Sequence, residues 1–217
     1  MPFVMESRGI KSRVVTVSHA TGAGGAAIAH AVATKLGFRY IDEDIIAVAA
    51  QREGVDAALV ADTERRKTFV ERLISGIAQA VSPAAIGGGT LVPDTVAPDA
   101  SLRTLIVDAI RETADRGNVV IVSHGASIPL AGRPDTLRVL ITASVETRVR
   151  RVAEARVEAD PAAFIDDNDV ARADYFARFY GIDQELPTHY DLVLNTDALS
   201  SAEAADIVVA AARRSAR

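Results

Sequence analysis

The sequence predicts an α/β protein with three layers, in which a five-stranded parallel sheet lies between two layers of helices. Short β-branched segments alternate with amphipathic helical segments along most of the chain, and this order is typical of parallel sheets with crossover helices. Hydrophobic residues make up 49% and charged residues 24% of the chain, as in ordinary globular domains. Because 217 residues suit one domain, residues 1–217 are predicted to form a single domain.

The predicted elements begin with a strand, a glycine-rich loop and a helix. Residues 13–18 (RVVTVS) are short and β-branched, as expected of a buried parallel strand. The loop HATGAGGAA follows, and the next apolar residues recur at helical spacing until Gly37 ends the pattern. The segment FRYID is predicted to be a strand, and DEDIIAVAAQREG a helix with acidic residues in its first turn.

Residues 55–117 have a less regular pattern. Residues 55–81 are predicted to be helical, whereas residues 82–99 hold three prolines and three consecutive glycines, a composition that predicts a surface loop. A linker between two domains is the alternative, but the alternation of strands and helices resumes after this segment. A helix is predicted over residues 101–116, with Gly117 at its end.

The rest of the chain completes the alternating pattern. The predicted strands are NVVIVSHG, TLRVLITA and YDLVLNTD. The predicted helices are VETRVRRVAEARVEA, DDNDVARADYFARFYG and SSAEAADIVVAAARR, with DPAAF as a break between the first two. Because ligands of parallel sheets bind at the carboxyl ends of the strands, the residues that follow each strand are the candidates for a site.

The composition excludes several kinds of site and partner. The chain has no cysteine, which rules out disulfides, thiolate metal ligands and cysteine nucleophiles, and its four histidines lack metal-ligand spacing. No metal site is therefore predicted. A net charge of −5 argues against general affinity for nucleic acid or anionic membranes. Because no segment has the length of a membrane span and the N-terminus lacks the apolar stretch of a signal peptide, a cytoplasmic location is expected.

The glycine-rich loop after the first strand predicts a phosphate site. Glycines let backbone N–H groups approach an anion, and the N-terminus of the following helix adds a favourable dipole. In the P-loop pattern G-x-x-x-x-G-K-[ST], His19 stands at the first glycine, Gly24 at the last, Gly25 at the lysine and Ala26 at the hydroxyl residue. A tight turn without a ligand is the alternative. The candidate cofactor-binding residues are Thr21, Gly22, Ala23, Gly24, Gly25 and Ala26.

The same loop also fits a second phosphate-binding pattern. Gly22, Gly24 and Ala27 match the dinucleotide fingerprint G-x-G-x-x-G/A, and Asp42 stands where an acid that binds the ribose is expected. This interpretation predicts an NAD(P)-binding Rossmann protein. It explains the loop but leaves the two arginine-bearing helices of the second half without a role.

Four blocks of sequence point to a family. They are VVTVSHATGAGGAAIAHAVATKLGFRYIDEDII, PDTLRVLITASVETRVRRV, DNDVARADYFARFYG and HYDLVLNTDALSSAEAADIV, and together they cover about half of the chain. In this order they resemble the cytidylate kinase-like family, a nucleoside monophosphate kinase branch of the P-loop NTPases. The resemblance implies a P-loop kinase fold, with residues 55–117 as a helical substrate-binding insertion and residues 156–168 as a lid.

The resemblance implies ATP-dependent phosphoryl transfer to CMP or a related nucleotide, with ATP and Mg²⁺ as cofactors. Such transfer depends on positioning and on neutralising charge, which arginine does well because its fork binds phosphate oxygens. Arg148 and Arg151, three residues apart on one helix face, correspond to arginines that face ATP in the family. Asp42 corresponds to an acid near the substrate phosphate. The alternatives are a solvated helix face for the arginines and a helix N-cap for Asp42.

On the substrate side, the resemblance assigns three more residues. Asp169 and Arg172, again three apart, correspond to the residues with which cytidylate kinases bind CMP. His124 stands in the SHGAS turn, where the family usually has an arginine. The alternatives are a solvated pair of helix charges for Asp169 and Arg172 and an ordinary polar turn residue for His124.

Several family positions have lost their functional side chain. Gly25 stands at the P-loop lysine position, where the family that the chain resembles also commonly has glycine, followed by an arginine. Ala26 supplies neither that arginine nor a hydroxyl, and Ile165 stands where a substrate arginine is usual. Transfer of a phosphoryl group needs cationic stabilisation. A catalytically weak or inactive nucleotide-binding or regulatory module of the same fold is therefore the alternative to an active kinase. The sequence leaves the oligomeric state open, with a homodimer among the options.

Overall fold

A parallel sheet of five strands forms the centre of the fold. The computed structural model describes residues 12–42, 98–122, 125–155 and 158–214. The strands are β1 (Val14–His19), β2 (Arg39–Ile41), β3 (Val119–Val122), β4 (Thr136–Thr142) and β5 (Leu192–Asn195). They lie in the order β2-β3-β1-β4-β5, and every neighbouring pair is parallel. The predicted fold class is confirmed.

Five α-helices connect and cover these strands in the described part of the chain. They are α1 (Gly25–Leu36), α2 (Pro98–Arg116), α3 (Val145–Glu154), α4 (Pro161–Tyr180) and α5 (Ser201–Arg214), with a short 3₁₀ helix at Pro187–His189. None of the described helices has both the length and the apolar composition needed to cross a bilayer.

Residues of one strand alternate between two apolar clusters, one on each face of the sheet. Val120 and Val122 of β3 belong to the cluster formed with α1 and α5. Val119 and Ile121 belong to the cluster formed with α2 and with Phe179 of α4. This alternation follows from the two-residue period of a strand, and it produces the predicted layers of helix, sheet and helix.

The strand order excludes the dinucleotide-binding alternative. In the Rossmann order, the second strand lies directly beside the first. Here β3 lies between β1 and β2, because β3 pairs with Val14–Val17 on one side and with Arg39–Ile41 on the other. The prediction of a Rossmann protein that uses Gly22, Gly24, Ala27 and Asp42 is therefore wrong.

Helix boundaries differ from the predicted ones at three places. Helix α2 begins at Pro98, inside the predicted loop, and α3 already ends at Glu154. Helix α4 begins at Pro161, although DPAAF was predicted to be a break. The Asp160 carboxylate caps α4 by accepting from the Ala163 N–H at 3.1 Å, and proline is tolerated at the first helical position. Residues 161–168 of the predicted lid therefore form about two turns of α4.

Several predictions lie outside the described residues. These are the helix after β2, the helix over residues 55–81, residues 82–97 of the predicted loop, His124, and residues 156 and 157 of the predicted lid. The turn that follows His124 is described. It is attached to β1 by a buried hydrogen bond of 3.0 Å between the hydroxyls of Ser127 and Thr16.

Candidate functional site

The glycine-rich loop lies at the carboxyl edge of the sheet and leads directly into α1. Gly22 and Gly24 both have a φ of 81°, in the left-handed region that favours glycine. Gly24 is the N-cap of α1, and it offers no side chain to the free N–H groups of the first turn. The first turn also contains no acidic residue. The loop therefore leaves the positive end of the α1 dipole without a negative side chain.

Helix α3 packs directly against this loop. A Cβ atom on Gly22 would lie 2.9 Å from the Arg148 carbonyl oxygen and 3.0 Å from the Arg148 Cβ. Glycine is therefore required at this position for space as well as for backbone conformation. This close approach brings the arginines of α3 to the loop.

Arg148 is buried between the loop and α4. Its guanidinium donates two hydrogen bonds to the Asp169 carboxylate, 2.9 Å from Nη1 to Oδ1 and 2.7 Å from Nη2 to Oδ2, and a third of 3.4 Å to the Thr21 carbonyl. Bidentate arginine–carboxylate pairs are among the stronger polar contacts in proteins. The Arg148 Nε atom is also buried, and it has no acceptor among the described residues.

Arg151 joins the loop to the end of β5. Its Nη1 donates to the Gly22 carbonyl at 3.4 Å and to the Thr196 hydroxyl at 2.9 Å, and its Nη2 donates to the Thr196 carbonyl at 2.6 Å. The Thr196 hydroxyl lies 2.9 Å from the Ala23 carbonyl, to which it donates. Arg148 and Arg151 thus approach consecutive carbonyls of the loop, as their shared helix face predicts.

Arg172 of α4 reaches the end of β1. Its guanidinium donates to both Glu185 carboxylate oxygens, at 2.8 and 2.7 Å, and to the Ser18 hydroxyl at 2.7 Å. The guanidinium carbon lies 5.0 Å from the centre of the Phe176 ring, within the range of a cation–π contact. The Tyr190 hydroxyl also donates to Glu185. Glu185 therefore holds Arg172 against the strand that carries the loop.

A cavity of about 280 Å³ lies between these groups. Its polar walls are the two arginines Arg148 and Arg172 and the carboxylates of Asp169 and Glu185, and apolar side chains supply much of the remaining wall. The other lining residues are Ala20, Ala173, Phe176, Ile182, Asp183 and Gln184. A small concave site with a few convergent polar groups is the usual form of a ligand pocket.

Two titratable groups, one at the end of β1 and one in β2, have shifted pKa values. Burial lowers the pKa of His19, the hydrogen bond with the Ala20 carbonyl opposes this, Arg172 lowers it further and Asp42 raises it. Burial also raises the pKa of Tyr40, and the neighbouring Asp42 carboxylate adds to that effect. Asp42 itself follows β2 and accepts a hydrogen bond of 3.3 Å from the Tyr40 hydroxyl.

The comparison with known families identifies the chain's relatives. A profile of the cytidylate kinase-like family matches residues 14–198, which is most of the chain. The chain belongs to the cytidylate kinase-like family. The match begins with β1 and the loop and ends just after β5, so it spans every element that forms the candidate site.

A relative of known sequence is a cytidylate kinase, and two solved structures share the fold. A cytidylate kinase of Mycobacterium leprae is 25% identical over 214 residues, covering 88% of this chain and 91% of the relative. A crystal structure of a protein from Eubacterium ventriosum is similar with a TM-score of 0.63 at 15% identity, covering 93% of this chain and 98% of that one. A gluconokinase of Sinorhizobium meliloti gives 0.51 at 14% identity, with 95% and 94% covered. At such identities the structural likeness concerns the fold.

The structure brings most of the predicted site residues of this cytidylate kinase-like protein together. Arg148 and Arg151 contact the loop of residues 21–26, and Asp169 and Arg172 line the cavity beside it. Asp42 lies at the same edge of the sheet, since β2 is parallel to its neighbours. His124 lies outside the described residues.

Sequence reasoning missed three side chains of the site. Glu185 and Thr196 hold Arg172 and Arg151, and His19 packs against Gly25. Glu185 lies in a segment without helical or strand periodicity, so only the folded chain brings it to Arg172. Thr196 lies near the end of the predicted strand YDLVLNTD and directly follows β5. Its position at a carboxyl end is the one signal that could have found it.

The residues present fit a bound phosphate better than a magnesium ion. The unpartnered Nε of Arg148 and the uncapped first turn of α1 both supply donors for an anion. The position at which the P-loop pattern has its magnesium-binding hydroxyl holds Ala26. Within the described residues, no group of three or more His, Asp or Glu side chains could hold a metal ion.

Proposed function

We propose that the protein transfers a phosphoryl group from ATP to CMP or a related nucleotide. One observation carries this proposal: three arginines from α3 and α4 converge on the end of β1 and the loop that follows it. Arg148 and Arg151 contact the loop carbonyls, and Arg172 contacts Ser18 at the end of β1. Phosphoryl transfer is catalysed largely by positioning and by stabilising negative charge. Permanently charged guanidinium groups held by protein partners supply both.

In this proposal the two sides of the cavity have different tasks. ATP, when bound, supplies the phosphoryl group, which passes to a phosphate oxygen of the acceptor and leaves ADP. The loop and the arginines of α3 neutralise the donor phosphates, and the buried Nε of Arg148 offers them a donor that has no acceptor among the described residues. Asp169 and Arg172 hold the acceptor nucleotide, with the carboxylate as an acceptor for an amino group of the base.

In this proposal the paired arginines bind a phosphate in addition to their carboxylate partners. Arg148 and Arg172 each donate to a carboxylate, Asp169 and Glu185 respectively. A guanidinium has five N–H donors, so a phosphate can be added while part of each pair persists.

The proposal also gives roles to two longer segments. We assign substrate binding to residues 55–117 and closure over the bound nucleotide to residues 156–168. No step is assigned to magnesium, since Ala26 gives it no hydroxyl.

A coupled assay of ADP formation tests the proposal. The purified protein is incubated with ATP and each nucleoside monophosphate in turn, and turnover is expected with CMP or a closely related nucleotide. Arg151→Leu is expected to lower the rate about 10²-fold, whereas Arg150→Leu, on the exposed side of the same helix, leaves the rate unchanged. Absence of turnover with every monophosphate, at enzyme concentrations that reveal slow rates, rejects the catalytic proposal.

A second candidate is a nucleotide-binding module without catalysis. The observation that favours it is the glycine and alanine at positions 25 and 26, which remove the lysine and the hydroxyl of an active P-loop. Calorimetry with ATP, CMP and CDP separates the two candidates. Binding without turnover supports the module, and absence of binding by all three nucleotides rejects both.

A further inference from the structure

The His19 side chain fills the space in which a side chain at position 25 would lie. A Cβ atom on Gly25 would lie 2.2 Å from the His19 Cβ, 2.3 Å from its Cγ and 2.7 Å from its Cδ2. No real Cβ approaches another carbon this closely, so neither alanine nor lysine fits at position 25 while His19 stays in place. Gly25 is not among the residues with positive φ. Space therefore requires glycine here, and backbone conformation does not.

The His19 ring has one nitrogen left for a ligand. Nδ1 lies 3.3 Å from the Ala20 carbonyl oxygen, and because a carbonyl only accepts, Nδ1 carries the hydrogen in that contact. Nε2 has no hydrogen bond with any residue in the described part of the chain. The ring is half-buried at the end of β1, beside the first turn of α1.

Other cations near the loop already have protein partners. Arg148 and Arg172 are paired with carboxylates, and Arg151 donates to Thr196. Lys35, at the far end of α1, lies 2.5 Å from Asp206. Among the described residues, His19 is thus the group beside the loop that can gain a positive charge and has a free donor position.

We propose that His19 is the ligand-dependent cation of the phosphate loop, with its imidazole in the space that the side chain of residue 25 would otherwise fill. The proposal rests on the proposed function, because it needs a phosphate group at this loop. When the phosphate binds, the ring takes one proton from solvent. Nδ1–H keeps its bond with Ala20, and Nε2–H donates to a phosphate oxygen.

The surroundings of His19 explain why the charge depends on the ligand. Arg172 of α4 disfavours the imidazolium and Asp42 after β2 favours it, while the first turn of α1 has no acidic residue. Burial is the largest influence: it disfavours the charged ring and lowers the pKa of His19. A phosphate adds negative charge beside the ring and reverses this balance.

Binding of ATP at two pH values tests the proposal. Dissociation constants are measured by calorimetry at pH 6.0 and 8.0 for the wild type, His19→Gln and the control His30→Gln, whose residue is exposed on α1. The effect of ATP protonation on the dissociation constant is the same for all three proteins and does not affect the comparison between them. Uptake of one proton changes the constant by at most about tenfold per pH unit, and we expect His19→Gln to lose about tenfold in affinity at pH 6.0 and little at pH 8.0.

The outcomes separate this proposal from the proposed function. If wild type and His19→Gln bind ATP equally at both pH values, His19 is not the cation, although the nucleotide site stands. If the wild type binds no ATP at either pH, both proposals fail. Equal proton uptake by the two proteins, measured in buffers of different ionisation enthalpy, would also overturn the role of His19.

A paired substitution tests the shared space directly. Gly25→Lys alone is expected to reduce ATP binding at least tenfold, because the new side chain meets His19. Combined with His19→Gly, the same lysine fits and is expected to restore binding without the extra pH dependence. Undiminished binding by Gly25→Lys alone contradicts the proposal. If the double variant does not fold, the comparison of ATP binding by the wild type and His19→Gln still tests the role of His19.

Discussion

Arg148 and Asp169 join α3 to α4 through two parallel hydrogen bonds, of 2.9 Å between Nη1 and Oδ1 and 2.7 Å between Nη2 and Oδ2. The two partners are buried very unequally, since the arginine side chain is 6% exposed and the carboxylate 39%. The carboxylate therefore neutralises a cation that water reaches poorly. Loss of the acid matters more for stability than loss of an ordinary surface ion pair.

Replacing the acid of this pair is expected to destabilise the fold. Asp169→Ala leaves the Arg148 guanidinium buried with one weak carbonyl contact, and the free energy of unfolding falls by about 1–3 kcal/mol. Asp166→Ala, an exposed position on the same helix, is expected to change it by less than about 0.5 kcal/mol. Urea unfolding followed by circular dichroism measures both, and equal effects would show that the pair contributes little.

Thr196 is expected to be as important to the loop as the arginine that it holds. Its side chain is buried, with a residue exposure of 2%, and its hydroxyl links Arg151 to the Ala23 carbonyl. Thr196→Val keeps the shape but removes these bonds and the 3.2 Å contact of the hydroxyl with the Thr142 carbonyl, at a cost of about 1–3 kcal/mol. Thr34→Val on the exposed side of α1 serves as the control. Thermal melts with no difference between the two variants would contradict this prediction.

Alanine variants of Gly22 and Gly37 distinguish the cost of backbone strain from the cost of a steric conflict. Both have positive φ, 81° and 69°, so alanine at either position costs about 1 kcal/mol or more in backbone strain. Only at Gly22 does the added Cβ also meet the backbone of Arg148, at 2.9 Å, whereas nothing lies within 4 Å at Gly37. Gly22→Ala is expected to lower the unfolding free energy by at least about 1 kcal/mol more than Gly37→Ala does. Chemical denaturation of the two variants side by side gives the difference.

Removing the charge of Glu185 is expected to loosen the contact between α4 and β1. The carboxylate accepts from Arg172 with both oxygens and from the Tyr190 hydroxyl, and charge-assisted bonds of this kind contribute about 1.5–3 kcal/mol each. Glu185→Gln keeps the size and is expected to lower the unfolding free energy by about 1–2 kcal/mol. Asp183→Asn, exposed in the same segment, is the matched control. Urea titration measures the unfolding free energy of both variants, and equal values would contradict the prediction.

Stability is expected to depend on pH through His19. Its pKa is lowered in the folded protein, chiefly by burial, so the unfolded chain binds the proton first as the pH falls below about 6.5. The contribution of His19 to the free energy of unfolding is therefore constant above this range and decreases from about pH 7 downward, until the folded protein also takes up the proton. The measurement is the melting temperature between pH 5.5 and 8.0, in which His19→Gln should show a smaller decrease than the wild type.

Much of the fold could be predicted from the sequence, because the residue patterns that indicate a strand or a helix lie within a few neighbouring positions. The β-branched run of β1, the helical spacing up to Gly37 and the three-residue separation of Arg148 and Arg151 each predicted what the structure contains. The prediction of a break at DPAAF is wrong, because Pro161 is the first residue of α4. Its role as a first helical residue depends on the cap by Asp160.

The partners of the site arginines could not be predicted in the same way. Ser18 and Glu185 are separated by 167 positions and meet at Arg172 only after the sheet and α4 have packed. The contact of His19 with Gly25 likewise depends on the path of the backbone through the loop. Patterns of apolar spacing hold no information on such contacts, since they describe which face of an element is buried and not which polar groups meet there.

The shared space of His19 and Gly25 also restricts how this loop can evolve. A lineage with glycine at position 25 can acquire a histidine at position 19 in one step, but afterwards any mutation that adds a side chain at position 25 meets an occupied volume. A lysine at position 25 then requires two changes, of which the first removes the histidine before the lysine is present. The order of substitutions is therefore fixed by geometry, and descendants of this loop are expected to vary at position 19 before they vary at position 25.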